Sequence, residues 1–266
     1  MRLTGGEPLV RRDCIDIVGD LSQRFSQIGI TTNGSLITRK LARLKEAGLT
    51  HLNISIDSLV PAKNEFITRR PNTSAVVLKA IDKAIELGIH SVKLNVVAMK
   101  NFNDDELLDF IELTKEKPVD VRFIEFMPFD ANDWKNDKFI SMAEMHKTVT
   151  AKYGEMVAPI GGELASSTSK GYRVEGYEGQ FGYISSMSKH FCGGCNRIRL
   201  TADGHLKVCL FDNREVNLKQ LMEDGTTTNE DLVDVIQMAL MKKHFSHGGI
   251  DSILKRSNRS MVRIGG

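Results

Sequence analysis

IGITTNGSLITRKLARLKEAGLTHLNISID, residues Ile28 to Asp57, carries a strand, a helix and a second strand in one continuous run. A short apolar segment at Ile28 to Thr31 ends at the Asn33-Gly34 turn. From Thr38 to Ala47 apolar residues return at helical spacing, with Leu41 and Leu44 inward and Gly48 just beyond the C-cap. His51 to Ile56 then reads as a strand whose end carries Ser55 and Asp57. The pattern recurs on both sides. Arg12 to Phe25 has helical periodicity, and Ser74 to Leu87 is a clear helix with Val77, Ile81, Ala84 and Ile85 on one face and Gly88 closing it. Ser91 to Val97 is a strand. Asn103 and Glu106 give a capping signal for a helix running to about Lys115, and Val119 to Phe126 is the next strand.

Strand and helix alternating with apolar strands predict parallel βα units, closed as a TIM-like barrel or open as a doubly wound sheet. Polar residues at the strand ends favour the barrel-like site: Gly5-Gly6-Glu7, Thr31-Thr32-Asn33, Ser55-Asp57, Lys93-Asn95 and Glu125-Met127. C-terminal strand ends build the active sites of such folds, so these clusters are expected to converge. Beyond Pro128 the pattern changes. A polar stretch at Asp130 to Asp137 leads to a helix at Ser141 to Tyr153, short strands at Gly171 to Val174 and Gln180 to Ser185, and a helix at Asn229 to Lys243. The expected division is a partial barrel at 1–128 and a second module at 129–266.

The chain has 266 residues, 41% of them hydrophobic and 26% charged, and a net charge of +2. That balance argues against a general nucleic-acid or membrane surface, and no apolar run reaches membrane-spanning length. Three of the four cysteines cluster, at Cys192, Cys195 and Cys209. The Asp203-Gly204 hairpin signal would return Cys209 beside the other two. Two metal chemistries and a chance grouping of buried thiols stay open at this point. His190 or His205 would complete a Cys3His zinc site, whereas three thiolates alone would leave one iron of a cubane cluster open. Arg197 and Arg199 follow at alternate positions, which favours an anionic ligand there. Cys14, among Ile15, Ile17, Val18 and Leu21, reads as a buried small hydrophobe.

Arg2-Leu-Thr-Gly-Gly-Glu-Pro8, Thr31-Thr-Asn-Gly34, Asn53-Ile-Ser-Ile-Asp57, Arg122-Phe-Ile-Glu-Phe-Met127 and the cysteine set together resemble the molybdenum cofactor biosynthesis protein A family, the GTP 3′,8-cyclases. Val60-Pro-Ala-Lys63 and Met127-Pro-Phe-Asp130 resemble its animal form, and the likeness runs from Arg2 to Gly265-Gly266. The resemblance implies an α/β radical S-adenosylmethionine (SAM) enzyme: an incomplete TIM-like (βα) barrel, lacking its first βα unit, plus a cluster-binding C-terminal module. It implies that Cys192, Cys195 and Cys209 hold a [4Fe–4S] cluster and that Gly6, Ser55 and Met127 contact SAM. It further implies that Arg2, Thr31, Lys93, Arg197, Ile198 and Arg199 contact GTP, and that the diglycine tail reaches the active site. These residue types suit those roles: glycine admits close backbone approach, Met127 packs on adenine, and guanidinium forks match phosphates.

The implied reaction, a lyase reaction, converts GTP to 3′,8-cyclo-7,8-dihydro-GTP by SAM-derived radical chemistry. The implied partners are the accessory protein of cyclic pyranopterin monophosphate synthase downstream and a second copy of the chain, with no nucleic acid and no membrane. The implied location is the mitochondrial matrix in an animal and the cytoplasm otherwise. The family's Cys-x3-Cys-x2-Cys motif, which holds a second [4Fe–4S] cluster in the full-length enzyme, would lie before Met1. The expectation is therefore a fragment or shortened product of an active cyclase, inactive by itself. A catalytically silent GTP-binding or regulatory form and a zinc-stabilised binding module are the alternatives.

Overall fold

Apolar residues at alternate strand positions give each strand one face against helices, and the repeat of that unit sets the architecture. In the computed structural model, residues 1–264 are described apart from 131, 133, 163, 165, 245, 257 and 258. β1 (Arg2–Leu3), β2 (Gly29–Thr32), β3 (His51–Ser55), β4 (Ser91–Ala98) and β5 (Val119–Glu125) lie parallel in chain order. α1 (Cys14–Ser22), α2 (Ile37–Glu46), α3 (Pro61–Thr68), α4 (Thr73–Glu86) and α5 (Leu107–Glu112) connect them. Leu52, Ile54, Leu94, Val121 and Phe123 from the strands share one core with Leu41, Leu44, Val77, Ile81 and Phe110 from the helices.

The sheet continues past residue 128. α6 (Met142–Tyr153) precedes β6 (Val157–Pro159), β7 (Lys170–Val174) and β8 (Gln180–Ile184). β8 pairs parallel to β5, β7 antiparallel to β8 and β6 antiparallel to β7. The eight strands run β1-β2-β3-β4-β5-β8-β7-β6, a parallel-rich, partial TIM-like sheet. A small antiparallel sheet of β9 (Arg199–Leu200), β10 (His205–Lys207) and β11 (Val216–Asn217) follows, with its Asp203-Gly204 turn where the sequence places it. α7 (Leu218–Glu223), α8 (Asn229–Met241), α9 (Ile250–Leu254) and α10 (Met261–Ile264) complete the described chain.

One helix, α3, has no periodic signal in the sequence, because Pro61 opens it and Asn64 is its buried residue. One expectation is corrected: Asn103 and Glu106 do not cap their own helix. Asn103 Nδ2 donates to Asp57 O (2.6 Å) and Val97 O (2.9 Å), while Glu106 accepts from Ser58 Oγ (2.8 Å), Leu59 N (2.7 Å) and Val60 N (3.2 Å). The pair ties down the exit of β3.

Glu125 does the same for β5. It is fully buried and accepts from Met142 N, Met187 N and Ser188 N, each at 2.8 Å, and from Ser188 Oγ. Buried donors left unmet cost about 1–3 kcal/mol each. Glu125→Ala is expected to lower unfolding free energy by about 3–4 kcal/mol, and Glu125→Gln, which retains an acceptor, by less. Urea denaturation midpoints check this; an unchanged midpoint in Glu125→Ala refutes it.

Candidate functional site

Strand register lines up the polar residues on the face opposite the core. Thr31, Asn53, Lys93, Asp120 and Gln180 form one row across β2, β3, β4, β5 and β8. Ser55, Asn95, Arg122 and Gly182 form the next, nearer the C-terminal ends. Asp120 Oδ2 joins the rows, accepting from Arg122 Nε at 2.9 Å and meeting Lys93 Nζ at 3.2 Å. The Arg2 guanidinium lies over Gly29, where a β-carbon would stand 3.1 Å from its Cζ. Burial, and then the charge of Arg122, holds both Arg2 and Lys93 below their ordinary pKa ranges. Two cations, Lys93 and Arg122, therefore share one carboxylate, and the charge of Arg2 acts on both of them. Beside them the buried Oδ1 atoms of Asn53 and Asn95 have no hydrogen-bond partner. Such a floor favours an anion that brings its own donors.

The turn after β1 is built on Gly5 and Gly6, at φ 88° and 63°, a region costly for any side chain. Glu7 fixes it against β2, accepting from Thr32 Oγ1 and Asn33 N, both at 2.7 Å. Ser55 stands exposed at the end of β3. Met127, just past β5, packs in a small apolar cluster with Met187, Phe211, Ile253 and Cys209.

All three clustered cysteines are free, and Cys192 and Cys195 flank a single tight turn closed by Cys195 N to Cys192 O at 3.0 Å. The Cys192 thiol feels the charge of both Cys209 and Cys195; burial pushes it up, against a hydrogen bond from the His247 backbone. Burial also pushes the Cys195 thiol up, but the Arg197 backbone, the Arg197 charge and Lys243 outweigh it and leave it low. Arg197 lies over the Phe191 ring at 5.1 Å and donates to Ser166 O, and its buried Nη2 has no partner. Burial and Arg197 lower the Arg199 guanidinium, while Cys195 and Cys209 pull it back. The structure thus brings Arg197 and Arg199 together with the thiols, although only Arg199 lies on the strand. Ile198 between them is exposed.

Opposite Arg199 across the hairpin sits Lys207, fully buried, with Nζ on Asp212 O and Glu215 Oε1. Arg259 clamps the same hairpin through Glu215 and Asp203, each at 2.6 Å. Neither candidate fourth ligand is drawn to the thiols: His190 packs on the His247 ring and His205 lies beside Asp203. Among the described residues no three of His, Cys, Asp and Glu are grouped to hold a single metal ion. The Gly265-Gly266 tail lies outside the described residues. Sequence reading missed Asp120, Arg122, Asn53 and Lys243 as site residues, whereas Asn95 falls in its Lys93-Asn95 strand-end cluster. The i, i+2 polar pair Asp120 and Arg122 inside an apolar strand was a usable signal for the first two.

Asp57, at the exit of β3, is raised to about 6 by burial, against a hydrogen bond from Val97 N at 2.9 Å. A raised carboxylate stabilises the fold while protonated, and that contribution is lost as pH climbs from about 4 through 6. Asp57→Asn should gain on wild type by about 1–2 kcal/mol between pH 4.5 and 7, a value discounted for partial exposure. Paired denaturation curves at the two pH values test it; a constant difference refutes it.

Two family descriptions match the chain: Radical SAM superfamily at residues 1–114 and Molybdenum Cofactor Synthesis C at residues 119–249. The chain is 49% identical to Molybdenum cofactor biosynthesis protein 1 of Homo sapiens, over 99% of this chain and 41% of that protein. It is 47% identical to the Arabidopsis thaliana protein named GTP 3′,8-cyclase, mitochondrial, over 100% of this chain and 68% of that one. Against the GTP 3′,8-cyclase of Syntrophomonas wolfei the identity is 44%, over 100% of this chain and 81% of the other. The chain thus spans 41% of the length of its mammalian relatives. Among solved structures, Streptococcus suis SuiB bound to S-adenosylmethionine has a TM-score of 0.61 at 12% identity, covering 98% of this chain and 65% of that one, a likeness of fold.

Proposed function

This chain belongs to the GTP 3′,8-cyclase family of molybdenum cofactor biosynthesis, and on that premise we propose that it binds GTP and SAM and serves the cyclisation of GTP to 3′,8-cyclo-7,8-dihydro-GTP. The observation that carries the reading is the floor on which Lys93 and Arg122 share the carboxylate of Asp120 while Arg2 adds a further positive charge that both of them feel. A triphosphate supplies the negative charge such a floor lacks.

In this reading Arg2 and Lys93 take phosphate charge and Thr31 gives a hydroxyl contact. Arg197 and Arg199 present guanidinium forks from the cysteine segment, and exposed Ile198 lies against the base. Gly6 admits the methionine end of SAM to the backbone, Ser55 bonds it, and Met127 packs on adenine. Cys192, Cys195 and Cys209 hold a [4Fe–4S] cluster. The donor set fits: three free thiols that sense one another, with cations beside them, leave a fourth iron without a protein ligand. When bound, SAM and the cluster supply the radical chemistry and a Lewis-acidic contact for the purine. What the chain itself contributes is placement, charge compensation and a dry apolar wall at Met127, Met187 and Phe211.

The proposal divides the chain into a partial radical SAM barrel at 1–128, which also lends Arg2, Thr31 and Lys93 to the triphosphate, and an iron–sulfur and GTP-binding module at 129–266. It includes a second [4Fe–4S] cluster in the full-length enzyme, a homodimer, and delivery of product toward the accessory protein of cyclic pyranopterin monophosphate synthase. A mitochondrial location is supported by the name of the Arabidopsis thaliana relative, and the proposal places it in the matrix. Among the described residues no helix is long and apolar enough to cross a membrane.

Calorimetric titration of GTP into anaerobically reconstituted protein tests the nucleotide assignment. Lys93→Met and Arg199→Met should each weaken GTP about tenfold or more, or at least ~1.4 kcal/mol. Unchanged affinity in both variants refutes it. Cys192→Ser should lose most of the iron, and retention of iron in that variant refutes the cluster assignment.

A further inference from the structure

The two cysteine-bearing segments, the Cys192–Cys195 turn and the loop at Cys209, converge on Lys242, Lys243 and His247, just past the C-terminal end of α8. Lys243 Nζ donates to Cys195 O (2.9 Å), Arg197 O (3.2 Å) and the Cys195 sulfur (3.5 Å). The His247 backbone N–H reaches the Cys192 sulfur. The loop beyond Cys209 is tied to the same place, because Arg214, paired with Asp212, donates from Nη2 to Lys242 O at 3.1 Å.

Lys243 is itself held. Its backbone N–H bonds Leu240 O at 3.0 Å, closing the helix end, and its side chain is half-buried against the cysteine turn. A lysine at a helix C-terminus ordinarily points to water and complements the helix dipole. Here the ammonium is spent on two carbonyls and a sulfur.

We propose that Lys243 is a positioning residue for the cysteine segment and raises the reduction potential of the cluster bound by Cys192, Cys195 and Cys209. The inference rests on the cluster reading given above. An N–H donor and a positive charge on a ligating sulfur favour the reduced, more negative state of an iron–sulfur centre. The two carbonyl bonds also lock the backbone between Cys195 and Arg197, so one side chain sets both the thiolates and the approach of the arginines. His247 supplies the second N–H to sulfur from the backbone, and side-chain replacement leaves that donor in place.

Anaerobically reconstituted wild type, Lys243→Met, Lys243→Arg and Cys192→Ser are compared by EPR-monitored redox titration and by the rate of iron release to a chelator. Lys243→Met should shift the reduction equilibrium about tenfold toward the oxidised form, ~59 mV for one electron, and release iron several-fold faster. Lys243→Arg, which keeps the charge and an N–H donor, should restore most of the potential. A purely structural lysine would alter iron release and leave the midpoint unmoved. An unshifted midpoint in Lys243→Met, with iron lost in Cys192→Ser, overturns this inference and leaves the cluster reading standing. Wild-type protein that takes up no iron overturns both.

Discussion

A single carboxylate that water cannot reach holds the two halves of the molecule in register. Glu125 ends the central strand β5, and every hydrogen bond it accepts comes from beyond residue 140: the start of α6 and the loop after β8. An isolated buried charge is costly, so the geometry persists only with its donors in place. The same anchor fixes where the chain leaves β5 toward Met127 and where it leaves β8 toward the cysteine segment. The apolar cluster that joins Met127 to Cys209 depends on both exits.

On the strands themselves the period of two does double work. Leu52, Ile54, Leu94, Val121 and Phe123 point into the core, and the intervening positions put Asn53, Lys93, Asn95, Asp120 and Arg122 on the other face. The core supplies the stability against which a surplus of buried positive charge is tolerated. Asp120 opposes that surplus at Lys93, but burial and the charge of Arg122 outweigh it and hold both Lys93 and Arg2 low.

The βα repeat was legible because its signals are local: strand length, helical spacing from Leu41 to Leu44, and a glycine at +106° that ends α2. What the sequence hid was long-range. Asn103 and Glu106 have the spacing of a cap, yet both reach more than forty positions back to the β3 exit, and Asn103 also bonds Val97 O in β4. Cys192, Cys195 and Cys209 were legible from spacing and a hairpin turn. Lys243 was not, since nothing in a helix-terminal lysine says that a thiol 48 positions earlier will lie under it. Arg197 and Arg199 do lie near one another, but not by alternation along a strand, which begins only at Arg199.

The hairpin that presents Arg199 has Lys207 sealed inside it, answered by Asp212 and Glu215, with Arg259 bolting the outside. A charge in that position forbids gradual loosening. Peeling one strand away would strand an ammonium without solvent, so intermediate openings are disfavoured and the element behaves as a cooperative unit. Arg199 is therefore either held in its place or withdrawn with the whole hairpin, a mechanical latch set by the sealed Lys207.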